Sequence, residues 1–217
     1  MKICILSDSH DNRRLLGVAV EHAKAHGAEA VLHCGDVVAP TTLRVLQKYE
    51  LPVHVIHGNN TGDLYNMSRL AAEPNSVIRY HGQDAAFTLA DRNLFLVHYP
   101  HYAHALACTG DYDLVCCGHD HKSSIAQVAT VKGGHTWLIN PGTVGGVGSP
   151  PTYIMADLAT MQFEIVAVEA APASVLPPVT PHVQEAACPG TGRQHGSKLK
   201  TGALLPFLFD ENSALIN

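Results

Sequence analysis

Two histidines follow an apolar run at residues 115–121, Val-Cys-Cys-Gly-His-Asp-His, where one residue separates His119 from His121. A polar turn after a buried strand would explain this stretch without any chemistry. A second pair with the same spacing, Asp8 and His10, follows the apolar run at the start of the chain. Because residues i and i+2 of an extended segment point to the same side, each pair could send two ligands into one site.

Three more polar residues lie where predicted strands end: Asp36 after the second strand, Asn59 after the third and His98 after a later one. Each has a structural explanation when taken alone. Asp8 or Asn59 could be a turn or cap residue, Asp36 could be a helix N-cap, and His98 could be an isolated strand-end histidine. Together the seven residues form a mixed oxygen and nitrogen set that suits Mn, Fe, Zn or Co better than Ca. Seven ligands exceed one ordinary site and fit two metals that share a carboxylate.

The elements that would position these residues alternate in the first part of the chain. Strands are predicted at 2–7, 30–34 and 52–56, with one helix capped by Asp11 or Asn12 and a second opened by Pro40. This order is typical of βαβ units and a parallel sheet. The carboxyl ends of parallel strands meet at one edge of a sheet, where ligands usually bind.

The second part of the chain has a more antiparallel pattern. A helix is predicted at 102–108, a hairpin at Gly133-Gly134, and substrate-facing loops around 60–75 and 99–112. Further strands are predicted at 77–80, 85–89, 93–98, 114–117, 125–131, 136–139, 153–155 and 163–168. We therefore expect an α/β fold in which two sheets pack on each other with helices outside.

A change in composition near residue 170 predicts a domain boundary. Prolines interrupt every candidate element beyond it, so we expect a folded domain at 1–170 and a flexible tail at 171–217. The tail contains an apolar segment at 204–209 that could dock on the body or on a partner. A homodimer through this segment or through a strand edge stays open.

The bulk composition excludes several classes of protein. The 217 residues carry a formal net charge of -5, so we expect no specific nucleic-acid binding, and any phosphate site needs local positive charge. No stretch approaches the ~18 apolar residues of a membrane span, and the first apolar run is too short for a signal peptide. The six cysteines form no C-x-x-C pair. We therefore expect a cytoplasmic protein with reduced thiols.

The ordered blocks resemble the calcineurin-like metallophosphoesterases, and in particular their small bacterial and archaeal phosphodiesterase branch. The resemblance covers about residues 1–170 and rests on Asp8-x-His10, Gly35-Asp36, Gly58-Asn59, His98 and Gly118-His119-x-His121. It implies a four-layer αββα sandwich of two mixed β-sheets flanked by helices.

The resemblance also implies a ligand set and a reaction. One metal would be held by Asp8, His10, Asp36 and His121, and the second by Asp36, Asn59, His98 and His119. Asp36 would bridge the two ions, for which Mn²⁺ is the first choice and Fe, Zn, Co or Ni are alternatives. A hydroxide shared by the two ions would attack phosphorus in line with the departing oxygen of a small phosphate ester.

The chain departs from the family at several positions. Many members have a histidine after the motif asparagine, which contacts phosphate or protonates the leaving group; here it is Asn60. An amide can donate a hydrogen bond to substrate but cannot act as a general acid. Asp63 could replace that acid. Tyr99-Pro100 stands where glycine is common, and residues 140–143, Asn-Pro-Gly-Thr, resemble a structural turn of the branch.

Three functions follow from this pattern. The leading hypothesis is a metal-dependent phosphodiesterase. The alternatives are a non-catalytic scaffold on the same fold, like the retromer subunit, and a single-metal binding module. All seven ligand positions carry a competent residue type, which favours the enzyme. Among the other histidines, His33 and His57 could support the ligands, and His101 or His104 could reach the substrate.

Overall fold

The computed structural model describes residues 1–169. The predicted tail at 171–217 and its apolar segment at 204–209 lie outside the described residues, so the boundary near 170 stays a prediction. The strands are β1 (Lys2–Leu6), β2 (Ala28–His33), β3 (Val53–Val55), β4 (Ile78–Tyr80), β5 (Asp84–Leu89), β6 (Arg92–Val97), β7 (Leu114–Cys116), β8 (Ser123–Ala129), β9 (His135–Pro141), β10 (Thr152–Asp157) and β11 (Gln162–Ala167). The helices are α1 (Arg13–Ala25), α2 (Pro40–Arg44), α3 (Leu64–Ala72) and α4 (Pro100–Thr109), and a 3-10 turn spans Gln47–Tyr49.

The first sheet has the strand order β11-β10-β1-β2-β3-β4. Strands β1 to β4 run parallel, as the alternating pattern predicts, and β10 and β11 return antiparallel at one edge. The strand at 77–80, which we grouped with the antiparallel half, is a parallel partner of β3. Helix α3 explains this difference, since a crossover helix between β3 and β4 permits parallel pairing.

The second sheet has the order β5-β6-β7-β9-β8. Its outer pairs β5–β6 and β8–β9 are antiparallel hairpins, whereas β6–β7 and β7–β9 are parallel. The predicted turn at Gly133-Gly134 closes the β8–β9 hairpin, and both glycines have positive φ. Both sheets are therefore mixed.

Three apolar layers hold the fold together, and alternation along each strand assigns its side chains to them. Cys4 and Leu6 of β1 pack with α1 to α3, whereas Ile3 and Ile5 pack between the two sheets. Helix α4 buries Ala103 on the outer face of the second sheet. Burying each large side chain of these layers contributes about 1.5–3 kcal/mol. The predicted four-layer αββα sandwich is confirmed.

The helices differ from the sequence prediction in two places. Helix α3 occupies part of the segment expected to be a loop at 60–75; Asp63 caps it, and Met67 and Leu70 are its buried residues. Helix α2 begins at Pro40, as predicted, but ends at Arg44, so of the apolar residues predicted for it, Leu43, Val45 and Leu46, it contains only Leu43. No helix within residues 1–169 combines the length and the apolar character needed to cross a bilayer. The five cysteines in this part of the chain are free thiols.

Candidate metal centre

The ends of β1, β2, β3, β6 and β7 meet at one edge of the sandwich and bring all seven predicted ligand residues together. The first three strands belong to the first sheet, and β6 and β7 belong to the second. Each ligand residue follows the end of one of these strands within four or five residues along the chain. The seven residues are Asp8, His10, Asp36, Asn59, His98, His119 and His121.

The first cluster contains Asp8, His10 and His121, whose ligand atoms lie within 4.8 Å of one another. The Nε2 atoms of the two histidines are 3.1 Å apart. Asp8 Oδ1 lies 3.3 Å from His121 Nε2 and 3.7 Å from His10 Nε2. The other Asp8 oxygen, Oδ2, accepts a hydrogen bond from the backbone N–H of His119 at 3.0 Å. A ligand atom of Asp8 also lies within 4.8 Å of ligand atoms of Asp36 and His98, so Asp8 adjoins the second cluster as well.

The second cluster lies beside the first and contains Asp36, Asn59, His98 and His119. Asn59 Oδ1 is 2.9 Å from His98 Nε2 and 2.8 Å from His119 Nδ1. Asp36 Oδ1 is 3.4 Å from His98 Nε2. Two of these residues, Asp36 and His98, are each only 2% exposed, whereas Asn59 and His119 face solvent. A buried half and an open half are what a site for a soluble substrate needs.

Asp36 lies between the two clusters, and its two oxygens face different ones. Oδ1 faces His98, while Oδ2 lies 3.9 Å from His10 Nε2. Asn60 holds the carboxylate in this position: its backbone N–H donates to Oδ1 at 2.8 Å, and its side-chain amide donates to Oδ2 at 2.6 Å. Asn60, expected to contact substrate, thus bonds to Asp36. The proposed N-cap role of Asp36 is wrong, because Ala39 is the N-cap of α2.

The hydrogen bonds fix the tautomers of two histidines. His98 Nδ1 lies 2.8 Å from the carbonyl of Cys34, and His121 Nδ1 lies 2.7 Å from the carbonyl of Val147. A carbonyl only accepts, so each Nδ1 carries the hydrogen and each neutral ring presents its Nε2 lone pair to the centre. Histidines that bind a metal ion usually donate the hydrogen of their other ring nitrogen to a group such as a backbone carbonyl.

The centre contains more acceptors than donors, which is the condition a cation relieves. Among residues 1–169, Asp8 Oδ1 is a buried side-chain oxygen without a hydrogen-bond partner. Asp8 Oδ1 faces the Nε2 lone pair of His121, so two acceptors face each other there. The same holds for Asn59 Oδ1 and the Nε2 lone pair of His98. Leaving a buried acceptor unpaired costs about 1–3 kcal/mol. The residues present therefore fit divalent metal ions, and each cluster could hold one.

The pKa shifts reflect the burial of these groups and the charges beside them. Burial raises the pKa of Asp8 above its ordinary value despite nearby donors and imidazoles. Burial also opposes the charged form of Asp36, but hydrogen bonds from His98 and Asn60 outweigh it and hold the pKa of Asp36 well below its usual range. Burial would lower the pKa of His98, but Asp36 and the carbonyl of Cys34 raise it.

The backbone at the ligands is not extended, which corrects the i, i+2 argument. Five of the seven residues have φ between 41° and 74°, in the left-handed region: Asp8, His10, Asp36, His119 and His121. A non-glycine residue in this region costs about 1–3 kcal/mol and persists where the surroundings enforce it. The paired residues converge, but through tight turns.

Glycine at 118 is required by the close approach of the strand ends. A Cβ at Gly118 would lie 2.0 Å from Ser7 Oγ and 2.5 Å from Asp8 Oδ2. Any larger residue would push β1 and β7 apart at the point where Asp8 receives its bond from His119. The glycine of the Gly-His-Asp-His block is thus part of the site geometry.

Several supporting residues surround the ligands. Thr143 Oγ1 donates to the carbonyl of Asp8 at 2.8 Å, and Asn140 Nδ2 donates to the carbonyl of Gly118 at 3.0 Å. Both lie in the predicted Asn-Pro-Gly-Thr turn. Ser9, between Asp8 and His10, is buried, and its Oγ contacts His33 Nε2 at 3.1 Å. His33 supports the centre through this contact.

The remaining candidates lie elsewhere. Asp63 caps α3 and is held by Asn66 through bonds of 3.0 and 2.6 Å, which makes it a structural residue. His101 and His104 are exposed on α4, and a role for either in substrate binding stays a prediction. His57 Nδ1 contacts the Tyr80 hydroxyl at 2.7 Å.

Comparisons with known proteins agree with this architecture. The model of the calcineurin-like phosphoesterase superfamily domain matches residues 1–161. A phosphodiesterase from Methanocaldococcus jannaschii is 26% identical over 172 residues, which span 78% of this chain and all of that protein. The solved structure of an archaeal phosphodiesterase superposes with a TM-score of 0.70 at 24% identity, over 77% of this chain and 99% of that one. An Escherichia coli phosphoesterase superposes at 0.54 with 19% identity, over 78% and 100%. The chain belongs to the calcineurin-like phosphoesterase superfamily.

Proposed function

We propose that this protein is a metal-dependent phosphodiesterase that binds two divalent metal ions. The observation that carries the proposal is the position of Asp36, whose Oδ2 faces His10 at 3.9 Å and whose Oδ1 faces His98 at 3.4 Å. A carboxylate with one oxygen toward each of two imidazole clusters is arranged to bridge two cations. The sequence similarity to a phosphodiesterase supports the same reading.

The proposed ligand sets follow the two clusters. Asp8, His10, Asp36 and His121 would hold one ion, and Asp36, Asn59, His98 and His119 would hold the other. The donors are carboxylate, amide oxygen and imidazole, which suit Mn²⁺ best, with Fe, Zn, Co or Ni as alternatives. Asp8 supports this assignment because its unpartnered Oδ1 faces the first cluster.

Two such ions would supply positive charge for the phosphoryl oxygens and acidify water, so that hydroxide attacks phosphorus in line with the departing oxygen. The residues of the chain keep that environment in place. Asp36 stays ionised because the backbone N–H and the side-chain amide of Asn60 both donate to it, and the carbonyls of Cys34 and Val147 orient the two rings. This proposal assigns no protein nucleophile.

The preference for diesters rests on charge and on Asn60. A diester carries one negative charge where a monoester carries up to two, and the chain itself has a net charge of -5. The amide of Asn60 is bonded to Asp36 and cannot protonate a leaving group. Esters whose leaving group departs without a proton should therefore react fastest.

The scaffold alternative requires a centre that has lost ligands. Here Asp8, His10, Asp36, His98 and His121 form two groups whose ligand atoms lie within 4.8 Å of one another, and the fold matches phosphoesterases. Asn59 Oδ1 lies between His98 Nε2 and His119 Nδ1. A single-metal module would need one of the two clusters to bind no ion. Neither alternative accounts for a carboxylate that divides its oxygens between two groups of imidazoles.

The test is hydrolysis of bis(p-nitrophenyl) phosphate by metal-stripped protein during titration with Mn²⁺, alongside equilibrium dialysis. We expect turnover that rises with metal and saturates near two ions per chain. Asp36→Asn should abolish turnover and leave fewer than two ions bound. Asp63→Asn is the matched control, because Asp63 is held by an asparagine through similar bonds and lies in the cap of α3. It should leave both measurements unchanged.

The alternatives give different results. Saturation at one ion with no turnover would support the single-metal module. If the unmodified protein neither binds metal nor turns over substrate, the result would support the non-catalytic scaffold. Two bound ions without turnover of any diester would contradict the catalytic proposal while leaving the binuclear site intact.

A further inference from the structure

A cleft with a volume of about 750 Å³ opens beside the candidate metal centre. His98 and Gly58 line its inner end, so it is continuous with the second cluster. Its wall includes Phe95, Tyr99 and Tyr102, and we call this space the aromatic cleft. Its volume lies within the ~300–1,000 Å³ of sites that enclose small organic ligands.

The cleft exists because one helix covers only part of the outer face of the second sheet. Alternation along β6 places Phe95 and Val97 on that face, while Leu94 and Leu96 pack between the sheets. Helix α4 buries Ala103 and Ala107 against the face and turns Ala105 toward the cleft.

Aromatic rings lead from the centre into the cleft. The Tyr99 ring lies 4.8 Å from the His119 ring and 5.4 Å from the His98 ring. Tyr102 is the next ring, 5.8 Å from Tyr99 and nearly perpendicular to it at 88°. Tyr102 is 52% exposed, which leaves much of this large side chain free for a contact. Such a row favours a planar group attached to a phosphate that is held at the centre.

The lining of the cleft also includes polar residues. Gln83 and Asp84 are exposed at the start of β5 and line the cleft. An amide and a carboxylate together offer hydrogen-bond donors and acceptors to a ring with polar edges. A purely apolar peptide or helix would leave these groups unpaired at a cost.

We propose that the aromatic cleft binds a nucleoside-like ester group, a ring with polar edges on a sugar, when the attached phosphate lies at the metal centre. This inference rests on the proposed function and specifies its substrate class. Tyr102 provides the ring contact, and Gln83 and Asp84 provide the polar contacts. They are specificity residues and contribute no step of the chemistry.

The experiment measures binding, which separates this inference from turnover. Calorimetry on the Mn²⁺-loaded full chain compares adenosine 5′-monophosphate with methyl phosphate, which carries the same phosphate on a group too small to fill the cleft. Because stacking of one base on an aromatic ring typically changes affinity by about tenfold, the nucleotide should bind at least about tenfold tighter. Tyr102→Ala should reduce that ratio.

A variant in which a large side chain fills the cleft tests the inference more directly than Tyr102→Ala does. Ala105→Trp fills the space from an exposed helix position and should bring the ratio of the two dissociation constants close to one. Ala105→Met should reduce the ratio partly, which guards against a misfolded tryptophan variant. His104→Trp is the matched control, because His104 is exposed on the same helix and is not part of the cleft wall. It should keep the full ratio.

The outcomes separate the two proposals. Equal binding of both ligands by the unmodified protein would overturn the inference, as would a preference that survives Ala105→Trp. Either result would leave the phosphodiesterase proposal standing. Failure of the metal-loaded protein to bind either ligand would also overturn the inference, whereas the phosphodiesterase proposal is decided separately by turnover of the diester, since both ligands here are monoesters.

Discussion

Asn60→Ala should weaken metal binding while leaving the metal-saturated reaction largely unchanged. The substitution removes the 2.6 Å bond from the amide of Asn60 to Asp36 Oδ2 and keeps the 2.8 Å backbone bond to Oδ1. Asp36 is the carboxylate proposed to serve both ions, and it is 2% exposed. Loss of an oriented hydrogen bond there acts on the ligand itself.

The magnitude follows from the type of bond. A hydrogen bond to a charged group contributes about 1.5–3 kcal/mol, and one of the two bonds from Asn60 remains. The lower end of that range corresponds to roughly tenfold in affinity. Substitution of residues that orient metal ligands typically costs about 10–100-fold. We therefore expect the apparent Mn²⁺ affinity to fall by about tenfold or somewhat more.

The pH dependence should change in the same direction. Asn60 is one of the groups that hold the pKa of Asp36 below its ordinary value of 3.8. Without its side chain the pKa rises, so protons compete with metal at a higher pH than in the unmodified protein. Because a histidine side chain ordinarily takes up its proton at about pH 6.5, this difference between the variant and the unmodified protein should show only at the acid end of a pH titration of Mn²⁺ affinity.

The assay is competition for Mn²⁺ against a fluorescent chelator, together with kcat measured at saturating metal. Asn66→Ala is the matched control, since Asn66 donates to Asp63 through bonds of 3.0 and 2.6 Å away from the centre. It should leave Mn²⁺ affinity unchanged. An Asn60→Ala variant with normal Mn²⁺ affinity and a reduced kcat would refute this reasoning and return Asn60 to its expected role as a substrate contact.

Three more substitutions test the centre. Asp8→Asn should raise the unfolding free energy of the metal-free protein by about 1–3 kcal/mol, because an amide donor replaces a buried oxygen that has no hydrogen-bond partner. The same variant should no longer be stabilised by metal. A metal-free variant that is less stable than the unmodified protein in urea titration would contradict this. Gly118→Ala should abolish metal binding by calorimetry, because its Cβ would lie 2.0 Å from Ser7 Oγ, whereas Gly17→Ala in α1 should not. Burial lowers the pKa of His33 from 6.5 to about 3. Between these two pH values the unfolded chain binds a proton at His33 that the folded chain does not bind. Stability of the metal-free protein should fall by about 1.4 kcal/mol per pH unit from this group below pH 6.5, and His33→Gln should remove that slope in urea titrations across this range.

The positions of the four candidate ligands from the first sheet were predictable because they depend on strand order. The three histidines that follow strands of the second sheet also require the two sheets to pack with these strand ends together. Once β1, β2 and β3 are parallel, Asp8, Asp36 and Asn59 must reach the same edge, whatever the loops between them do. The apolar run before Asp8 and the spacing of about one βαβ unit to Asp36 are both legible in the sequence. The convergence therefore needed no detail of side-chain geometry.

The local geometry was not predictable for a different reason. The left-handed turns at Asp8 and His10 depend on long-range backbone bonds to the carbonyls of Gly35 and Asp36. Asp and His adopt this conformation more often than most residues, but their presence does not fix where it occurs. The bond from Asn60 to Asp36 likewise joins residues 24 apart, so sequence similarity alone suggested a substrate contact. Helix α3 was missed because its buried residues, Met67 and Leu70, make too short an apolar pattern.

Both the strain and the excess of acceptors concentrate at the same few residues, and this has a thermodynamic consequence. Asp8 combines a left-handed backbone with an unpartnered buried oxygen, and Asp36 combines a left-handed backbone with near-complete burial. These costs are present in the metal-free fold and are offset when cations pair with the carboxylates. Metal binding and folding are therefore coupled, because the ligands converge only in the folded chain. Metal at about 100 times its dissociation constant adds about 2.7 kcal/mol of stability per site, which is comparable to the strain of one or two left-handed residues. In the proposed two-metal state, the centre would tolerate geometry that the sheets alone would not favour, because the same geometry would direct the candidate donors toward the ions.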